Sequence, residues 1–191
     1  LHLSLRRQRQ MCIRDSRMRV ARRPLLAEHA FVISSFGKTY HTTGWKIGYC
    51  CAPRQLSAEL RKVHQFMVFT VPSPMQFALA EFMRDPKPYL DLPAFYQAKR
   101  DRLSQGLAKT RFRPLPSPGT FFLLADYSQI SRQNEADFAR DLTVNHGVTV
   151  IPVSAFYRQP DAAESNHRIV RFCFAKKDAT LDAALERLAQ V

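Results

Sequence analysis

A lysine that follows an apolar segment has the surroundings of a reactive amine. Lys38 lies directly after an apolar, β-rich run and after Gly37, and the hydroxyls of Ser35 and Thr39 flank it. Lys46 follows eight residues later. A lysine amine that is partly desolvated near a second cation loses its proton more readily and can attack a carbonyl, as imine-forming lysines do. The segment is therefore a candidate for carbonyl chemistry, although most loop lysines are simply solvated.

The same residues also carry the Gly-Lys-Thr ending of a phosphate-binding loop. That loop needs another glycine five residues before Gly37, and Val32 occupies this position inside an apparent strand. The spacing therefore excludes a nucleotide-binding loop at this position.

Two arginines near the C-terminal end are candidates for binding an anion. Arg168 and Arg171 lie three residues apart in a segment that is predicted to be a strand, so their side chains point to opposite faces and only one can enter a given cleft. A guanidinium in a cleft binds a carboxylate through two parallel hydrogen bonds. Considered alone, both arginines are expected to be solvated.

The string SFGKTYHTTGWKIGY resembles the cofactor-lysine segment of the fold-type-I pyridoxal-phosphate aminotransferases of class I/II. The residue types, the serine three positions before the lysine and the basic residue eight positions after it all agree. The resemblance implies that Lys38 attaches to pyridoxal 5'-phosphate and then moves the proton during catalysis. It also implies that Ser35 and Lys46 hold the cofactor phosphate, one as a hydroxyl donor and the other as a point charge.

Two downstream blocks, VIPVSAFY and RFCFAKKDATL, are similar to the methionine aminotransferases and kynurenine–oxoglutarate transaminases of this family. The similarity implies that Arg171 binds the α-carboxylate that an amino acid and a 2-oxo acid share. It implies that Phe156 borders the pocket for an apolar or aromatic substrate side chain, a role that competes with simple core packing. Phe122 lies in a further matching block, where packing is expected.

The resemblance implies amino transfer between an amino acid of the methionine, aromatic or kynurenine type and a 2-oxo acid, in a protein that is a homodimer at full length. Such enzymes carry upstream an aspartate that pairs with the pyridine nitrogen and an aromatic ring that stacks on it. Neither can be located in this sequence. We therefore expect the chain to be the C-terminal part of an aminotransferase, without the N-terminal half, and to have little activity by itself.

Two alternatives remain open at this stage. A cysteine-conjugate β-lyase would use the same lysine and cofactor, and the sequence does not separate elimination from transfer. A non-catalytic nucleic-acid-binding protein is suggested by the formal net charge of +13 and the pI near 10. Residues 1–30 hold +6 of that charge, however, and the rest of the chain is no more basic than an enzyme that binds anions. We expect no nucleic acid as a partner.

Composition also limits the location of the protein. No apolar run approaches the roughly 18 residues that a membrane helix needs, so no membrane partner is expected. The four cysteines include the adjacent pair Cys50 and Cys51 and form no C-x-x-C motif, which argues against a metal site or a redox motif. Reduced thiols are typical of the cytoplasm.

The helices and strands predicted around these residues indicate an α/β fold. Residues 1–16 are expected to be a disordered or non-native arm, residues 17–90 the end of the cofactor-binding large domain, and residues 91–191 a linking helix and a small α/β domain. Strands are predicted at 30–36, 47–52, 121–128, 148–153 and 167–175, and helices at 24–30, 55–70, 73–84, 91–109, 136–147 and 178–190. The first strand is expected to be buried. Gly37 is expected to permit an unusual backbone, Gly147 to cap a helix, and Asp178 to be a helix N-cap.

Overall fold

The computed structural model describes residue 20 and residues 23–191, and the predicted arm of residues 1–16 lies outside them. The described residues are divided between two compact units, with the division between Leu92 and Pro93. We call the unit that ends at Leu92 the lysine unit and the unit from Pro93 to Val191 the arginine unit. Together their helices and strands give a mixed α/β architecture.

The lysine unit contains one short sheet and several helices. Its strands β1 and β2 are antiparallel, with Val32 opposite Cys51 and Ser35 opposite Gly48. Its elements are α1 (Pro24–Ala27), β1 (Val32–Ser35), α2 (Phe36–Thr39), a 3-10 turn (Thr43–Trp45), β2 (Gly48–Cys51), α3 (Arg54–Met67), α4 (Ser73–Phe82) and α5 (Lys87–Leu90). Proline lies in the first turn of α1, α4 and α5, where its missing N–H leaves no helical bond unmade.

The lysine unit covers little of its own apolar surface. The prediction that the first strand is buried is wrong, because Ile33 in β1 is 76% exposed. A two-stranded sheet has few neighbouring elements that could cover its two faces. Because side chains along β1 alternate between these faces, one packed element can bury only half of them. Helix α3 has an apolar stripe at helical spacing, yet none of its residues is buried and Phe66 is 87% exposed.

The arginine unit has a well-formed core. Its antiparallel sheet has the strand order β3-β4-β6-β5. The elements are α6 (Leu92–Leu107), β3 (Arg113–Pro114), β4 (Phe122–Asp126), α7 (Glu135–Asn145), β5 (Ile151–Pro152), a 3-10 turn (Val153–Phe156), a second 3-10 turn (Ala163–Ser165), β6 (Ile169–Cys173) and α8 (Asp178–Leu188). Alternate residues of the two central strands are buried and pack with the helices in one cluster that includes Leu103, Leu107, Leu123, Phe138, Leu142, Val170, Phe172 and Leu181. The intervening residues of β4 and β6 lie on the other face and are half-buried.

Two of the predicted strands differ from the structure. The segment 148–153 pairs only at Ile151 and Pro152, since a proline lacks the N–H that would continue the ladder. Strand β6 begins at Ile169, because Arg168 has a left-handed backbone with φ of 55° and cannot continue a strand.

The predicted helix caps have opposite outcomes. The cap at Gly147 is confirmed, because this residue follows α7 with φ of 65°, where glycine is favoured. The prediction that Asp178 is an N-cap is wrong, because Lys177 occupies that position and Asp178 is the first residue of α8. The Asp178 carboxylate instead accepts a hydrogen bond from Lys99 at 2.6 Å.

The structure also bears on membranes, metals and thiols. In the part of the chain that it describes, every helix is too short or too polar to cross a bilayer. No group of three His, Cys, Asp or Glu side chains in that part could hold a metal ion. Cys50, Cys51 and Cys173 are free thiols.

Candidate active site

Lys38 lies in α2, the single helical turn that begins where β1 ends and that we call the lysine turn. Ser35 caps this turn, because its Oγ accepts a hydrogen bond from the backbone N–H of Gly37 at 3.1 Å. The same hydroxyl donates to the carbonyl of Ile47 at 3.4 Å. The Lys38 side chain is exposed. The cap therefore fixes the backbone that carries the amine.

Gly37 has a role that differs from the predicted one. Its φ is not positive, so the expectation of an unusual backbone is wrong. Gly37 is buried, and a Cβ built on it would lie 3.0 Å from the Cα of Thr43 and 3.3 Å from Ser35 Oγ. Thr43 Oγ1 donates to the Gly37 carbonyl at 3.2 Å. A side chain at position 37 would crowd the Thr43–Trp45 turn, which packs directly on the lysine turn.

Lys46 lies next to this cluster and is exposed. It follows the Thr43–Trp45 turn in a left-handed conformation with φ of 56°. Its neighbour Ile47 is buried and accepts a hydrogen bond from the backbone N–H of Phe36 at 3.1 Å. The Ile47 carbonyl also accepts a hydrogen bond from the Ser35 hydroxyl. The structure therefore brings the backbones of Ser35, Lys38 and Lys46 into one loop cluster at the end of the small sheet.

A cavity of about 500 Å³ lies beside the lysine turn. Its lining is mainly hydroxyl and aromatic: Ser34, Ser35, Phe36, Thr39, Tyr40, Tyr49, Met83 and Tyr89. Burial raises the pKa of the Tyr40 phenol, and the neighbouring Tyr89 and Tyr49 add to the shift. Tyr40 is therefore a neutral hydroxyl at ordinary pH.

The arginine unit places Arg171 on the half-buried face of its sheet. The guanidinium carbon lies 4.0 Å from the centre of the Phe122 ring and 4.7 Å from the centre of the Phe156 ring. Arg171 Nε is buried and has no hydrogen-bond partner among the described residues. Desolvation by burial lowers the pKa of this guanidinium, although the nearby Cys173 partly offsets the shift.

Arg171 has the properties of a residue that binds an anion. None of the ion pairs among the described residues includes Arg171. A half-buried charge without an ionic partner is partly desolvated, and a carboxylate that accepted from its N–H groups would offset that cost. Arg168 does not share this position, because it precedes the strand and is in the left-handed turn.

The contact between Phe122 and Arg171 is not visible in the sequence. The sequence predicts only packing for Phe122, yet its ring lies under the Arg171 guanidinium. The alternation along β4 indicates that Phe122 lies on the face opposite the buried Leu123. The sequence does not show, however, that β4 pairs with β6 so that Phe122 lies opposite Cys173, two residues from Arg171.

Comparison with known proteins agrees with these features. The family described as "Aminotransferase class I and II" matches residues 10–188. Methionine aminotransferase of Escherichia coli K12 is 52% identical over 169 residues, which are 88% of this chain and 43% of that protein. Kynurenine–oxoglutarate transaminase of Dictyostelium discoideum is 35% identical over 192 residues, and the match covers 91% of this chain and 44% of that protein.

A solved structure gives the same result. A crystal structure from Escherichia coli, described as identifying a methionine aminotransferase function, superposes with a TM-score of 0.86 at 47% identity and covers 96% of this chain and 48% of that one. The chain therefore spans less than half the length of these relatives. On the extent of the family match, the chain belongs to the class I and II aminotransferases, a family of pyridoxal-phosphate enzymes.

Proposed function

We propose that the complete protein is a pyridoxal-phosphate-dependent aminotransferase that transfers the amino group between a 2-oxo acid and an apolar amino acid of the methionine, aromatic or kynurenine type. This chain supplies its C-terminal part. Residues 17–90 belong to the cofactor domain and residues 91–191 to the small domain, and the complete protein is a cytoplasmic homodimer, the assembly typical of the family. The observation that carries the proposal is the desolvated Arg171, whose Nε has no partner among the described residues.

The loop cluster of Ser35, Lys38 and Lys46, which we call the lysine cluster, fits the chemistry of the cofactor. Its aldehyde requires a primary amine, and Lys38 provides one on a turn that Ser35 fixes. Its phosphate requires positive charge, which Lys46 provides, and hydrogen-bond donors, one of which Ser35 provides when its hydroxyl turns away from the long 3.4 Å bond to the Ile47 carbonyl. The donor set in this unit is therefore suited to one end of the cofactor and its phosphate.

The chain's own residues then have separate tasks. Pyridoxal phosphate, when bound, supplies the aldehyde that carries the amino group and the ring that withdraws electrons. Lys38 Nζ would take the proton from the substrate α-carbon and deliver it to the former aldehyde carbon of the cofactor, while Ser35 and Lys46 would hold the phosphate in place. Arg171 binds the α-carboxylate through its free N–H groups, which orients either substrate in the same way. Phe156 borders the substrate side chain and keeps water from the Arg171 face.

Substitution of the lysine tests this proposal. The complete protein, produced with the upstream part of its gene, is incubated with pyridoxal phosphate and reduced with borohydride, and peptide masses then show which residue carries the cofactor. We expect the label on Lys38, with transfer of the amino group from methionine to a 2-oxo acid. Lys38→Ala should lose both the label and the activity, while Lys62→Ala, at an exposed lysine of the same unit, should keep both.

Two outcomes would contradict the proposal. Equal labelling of the Lys38→Ala protein would remove Lys38 from the reaction. Release of pyruvate and ammonia from a cysteine conjugate, without any transfer to an added 2-oxo acid, would make the protein a β-lyase instead.

A further inference from the structure

A buried carboxylate joins the two segments that carry the proposed substrate-binding residues. Glu135, the first residue of α7, is 1% exposed. Its Oε2 accepts a hydrogen bond from the backbone N–H of Ser154. Its Oε1 accepts from the backbone N–H groups of His167 and Ile169, each at 3.0 Å. Burial of a carboxylate is unfavourable unless its oxygens are hydrogen-bonded, and three N–H donors meet that requirement here.

The turn at Arg168 explains how one oxygen receives two of these bonds. Arg168 has φ of 55°, a conformation that few non-glycine residues adopt. A left-handed residue between two others directs the flanking N–H groups to the same side, which is a known way for a backbone to bind an anion. The Arg168 carbonyl accepts from the backbone N–H of Tyr127 at 3.0 Å. The turn is therefore held by Glu135 on one side and by the end of β4 on the other.

Each of these hydrogen-bonded segments leads directly to a proposed substrate-binding residue. Ile169 begins β6, and Arg171 lies two residues farther along it. Ser154 lies in the 3-10 turn Val153–Phe156, two residues before Phe156. The Arg171 guanidinium carbon and the Phe156 ring centre are 4.7 Å apart, so a small shift of either segment would change their contact.

We propose that Glu135 is a positioning residue for substrate binding. Its carboxylate fixes both segments and thereby keeps the Arg171 guanidinium and the Phe156 ring in the arrangement that receives the substrate carboxylate. The hydrogen bonds of the Glu135 carboxylate all go to backbone N–H groups, so Glu135 acts through the backbone of the two segments. This inference rests on the proposed function, because it requires Arg171 to bind the substrate.

The first experiment compares KM with kcat in the complete enzyme loaded with its cofactor. Glu135→Gln keeps the size of the side chain but turns an NH₂ group toward backbone N–H donors. We expect the KM for methionine and the KM for the 2-oxo acid each to rise about tenfold, because the substrate contacts at this site are made before the chemical step. The kcat should change less than about threefold.

Two further variants serve as comparison and control. Glu135→Asp keeps the charge but shortens the side chain by one methylene, and its KM values should lie between those of the wild type and Glu135→Gln. If Glu135→Gln fails to fold, Glu135→Asp takes its place in the comparison of KM with kcat. Glu186→Gln, at an exposed glutamate of the same unit, should leave both KM values unchanged. All assays are run below the unfolding temperature measured for each variant.

A double variant separates positioning from general stability. Arg171→Lys alone should raise both KM values, and in that background Glu135→Gln should add less than about twofold, because the main group that it positions is already altered. If the KM increases of the two single variants multiply in full in the double variant, the positioning role is overturned. It is also overturned if the Glu135→Gln protein has a lower Tm but unchanged KM values. Unchanged KM values in Arg171→Lys itself would overturn the proposed function of that arginine instead.

Discussion

At the scale of single residues, the arrangement of the Arg171 side chain restricts what it can bind. Two aromatic rings, those of Phe122 and Phe156, lie within 5 Å of its guanidinium carbon. A cation is attracted to the face of a ring, by roughly 0.5 to 2 kcal/mol depending on desolvation. The guanidinium carbon lies over both rings, and the buried Nε–H has no partner among the described residues. The N–H groups of a guanidinium lie in its plane and match the two oxygens of a carboxylate.

The contact with Phe122 can be tested separately. Phe122→Leu keeps an apolar side chain but removes the ring under Arg171, so the guanidinium is held less firmly. We expect the KM of the complete enzyme for its 2-oxo acid substrate to rise about fivefold, which corresponds to the loss of about 1 kcal/mol. Steady-state kinetics measures this change.

Phe95→Leu is the matched control, because it removes a ring that contacts another cation, the Lys99 ammonium, in the same unit. Its KM should not change. If both leucine variants raise KM equally, the effect is one of general stability and the contact with Arg171 has no part in it.

The sequence could predict the residues of the lysine cluster because the pattern that identifies them is local. Ser35, Lys38 and Lys46 lie within twelve positions, and one loop brings them together. Glu135 could not be found in the same way. Its hydrogen-bond partners are 19, 32 and 34 residues away, and nothing near Glu135 in the sequence indicates that its carboxylate is buried. The role of Gly37 cannot be predicted from the sequence for the same reason, since the close approach of Thr43 depends on packing.

At the scale of elements, helices are predicted more accurately than strands. The helix predicted at 55–70 is observed at Arg54–Met67, and the one predicted at 91–109 at Leu92–Leu107, because apolar spacing along a helix is visible in a short window. Strand limits depend on which neighbour supplies the hydrogen bonds. The segment predicted at 148–153 therefore shrinks to two paired residues.

The start of helix α8 is joined to α6 by an ion pair. Lys99 of α6 is only 9% exposed, and its ammonium donates to Asp178 Oδ1 at 2.6 Å and to the Lys176 carbonyl at 2.7 Å. The hydrogen bond from Lys99 lowers the pKa of Asp178 below its ordinary 3.8, against some desolvation, and the charges of Lys99 and Arg102 add to the shift. A carboxyl with a depressed pKa in the folded state stabilises the fold only when it is ionised.

This ion pair predicts how stability depends on pH. Its contribution is complete above pH 3.8 and is lost as the pH falls through the lower pKa of the folded state. Asp178→Asn should therefore lower the free energy of unfolding at neutral pH and lose less on acidification than the wild type does. Urea unfolding at neutral pH and in steps from about pH 5 to about pH 2.5 measures both differences.

Asp161→Asn, at an exposed aspartate of the same unit, is the control and should follow the wild-type curve. Parallel curves for Asp178→Asn and the wild type across the acid range would show that the pair does not stabilise the junction of these helices.

At the scale of the whole molecule, the two units differ in how completely they bury apolar side chains. The arginine unit holds a cluster of buried residues drawn from its sheet and from helices α6, α7 and α8. In the lysine unit, the buried apolar side chains are Ile47 and Leu79, while Phe66, Phe69 and Phe77 are each more than 75% exposed among the described residues. Exposed apolar surface of this extent favours association.

The difference predicts separate behaviour for the two units. Residues 93–191 produced alone should be monomeric and unfold in one cooperative transition, because their core is complete. Residues 17–92 produced alone should aggregate. Dynamic light scattering and thermal unfolding of the two fragments check these outcomes. A monodisperse, cooperatively folded 17–92 fragment would contradict the inference drawn from its exposed side chains.

The turn that precedes Lys46 gives the chain a built-in optical reporter. Trp45 is the only tryptophan in the 191 residues, and it ends that 3-10 turn. All indole fluorescence of the chain therefore originates beside the residues proposed to hold the cofactor phosphate. Emission spectra can thus follow events at one known place in the molecule without an attached dye.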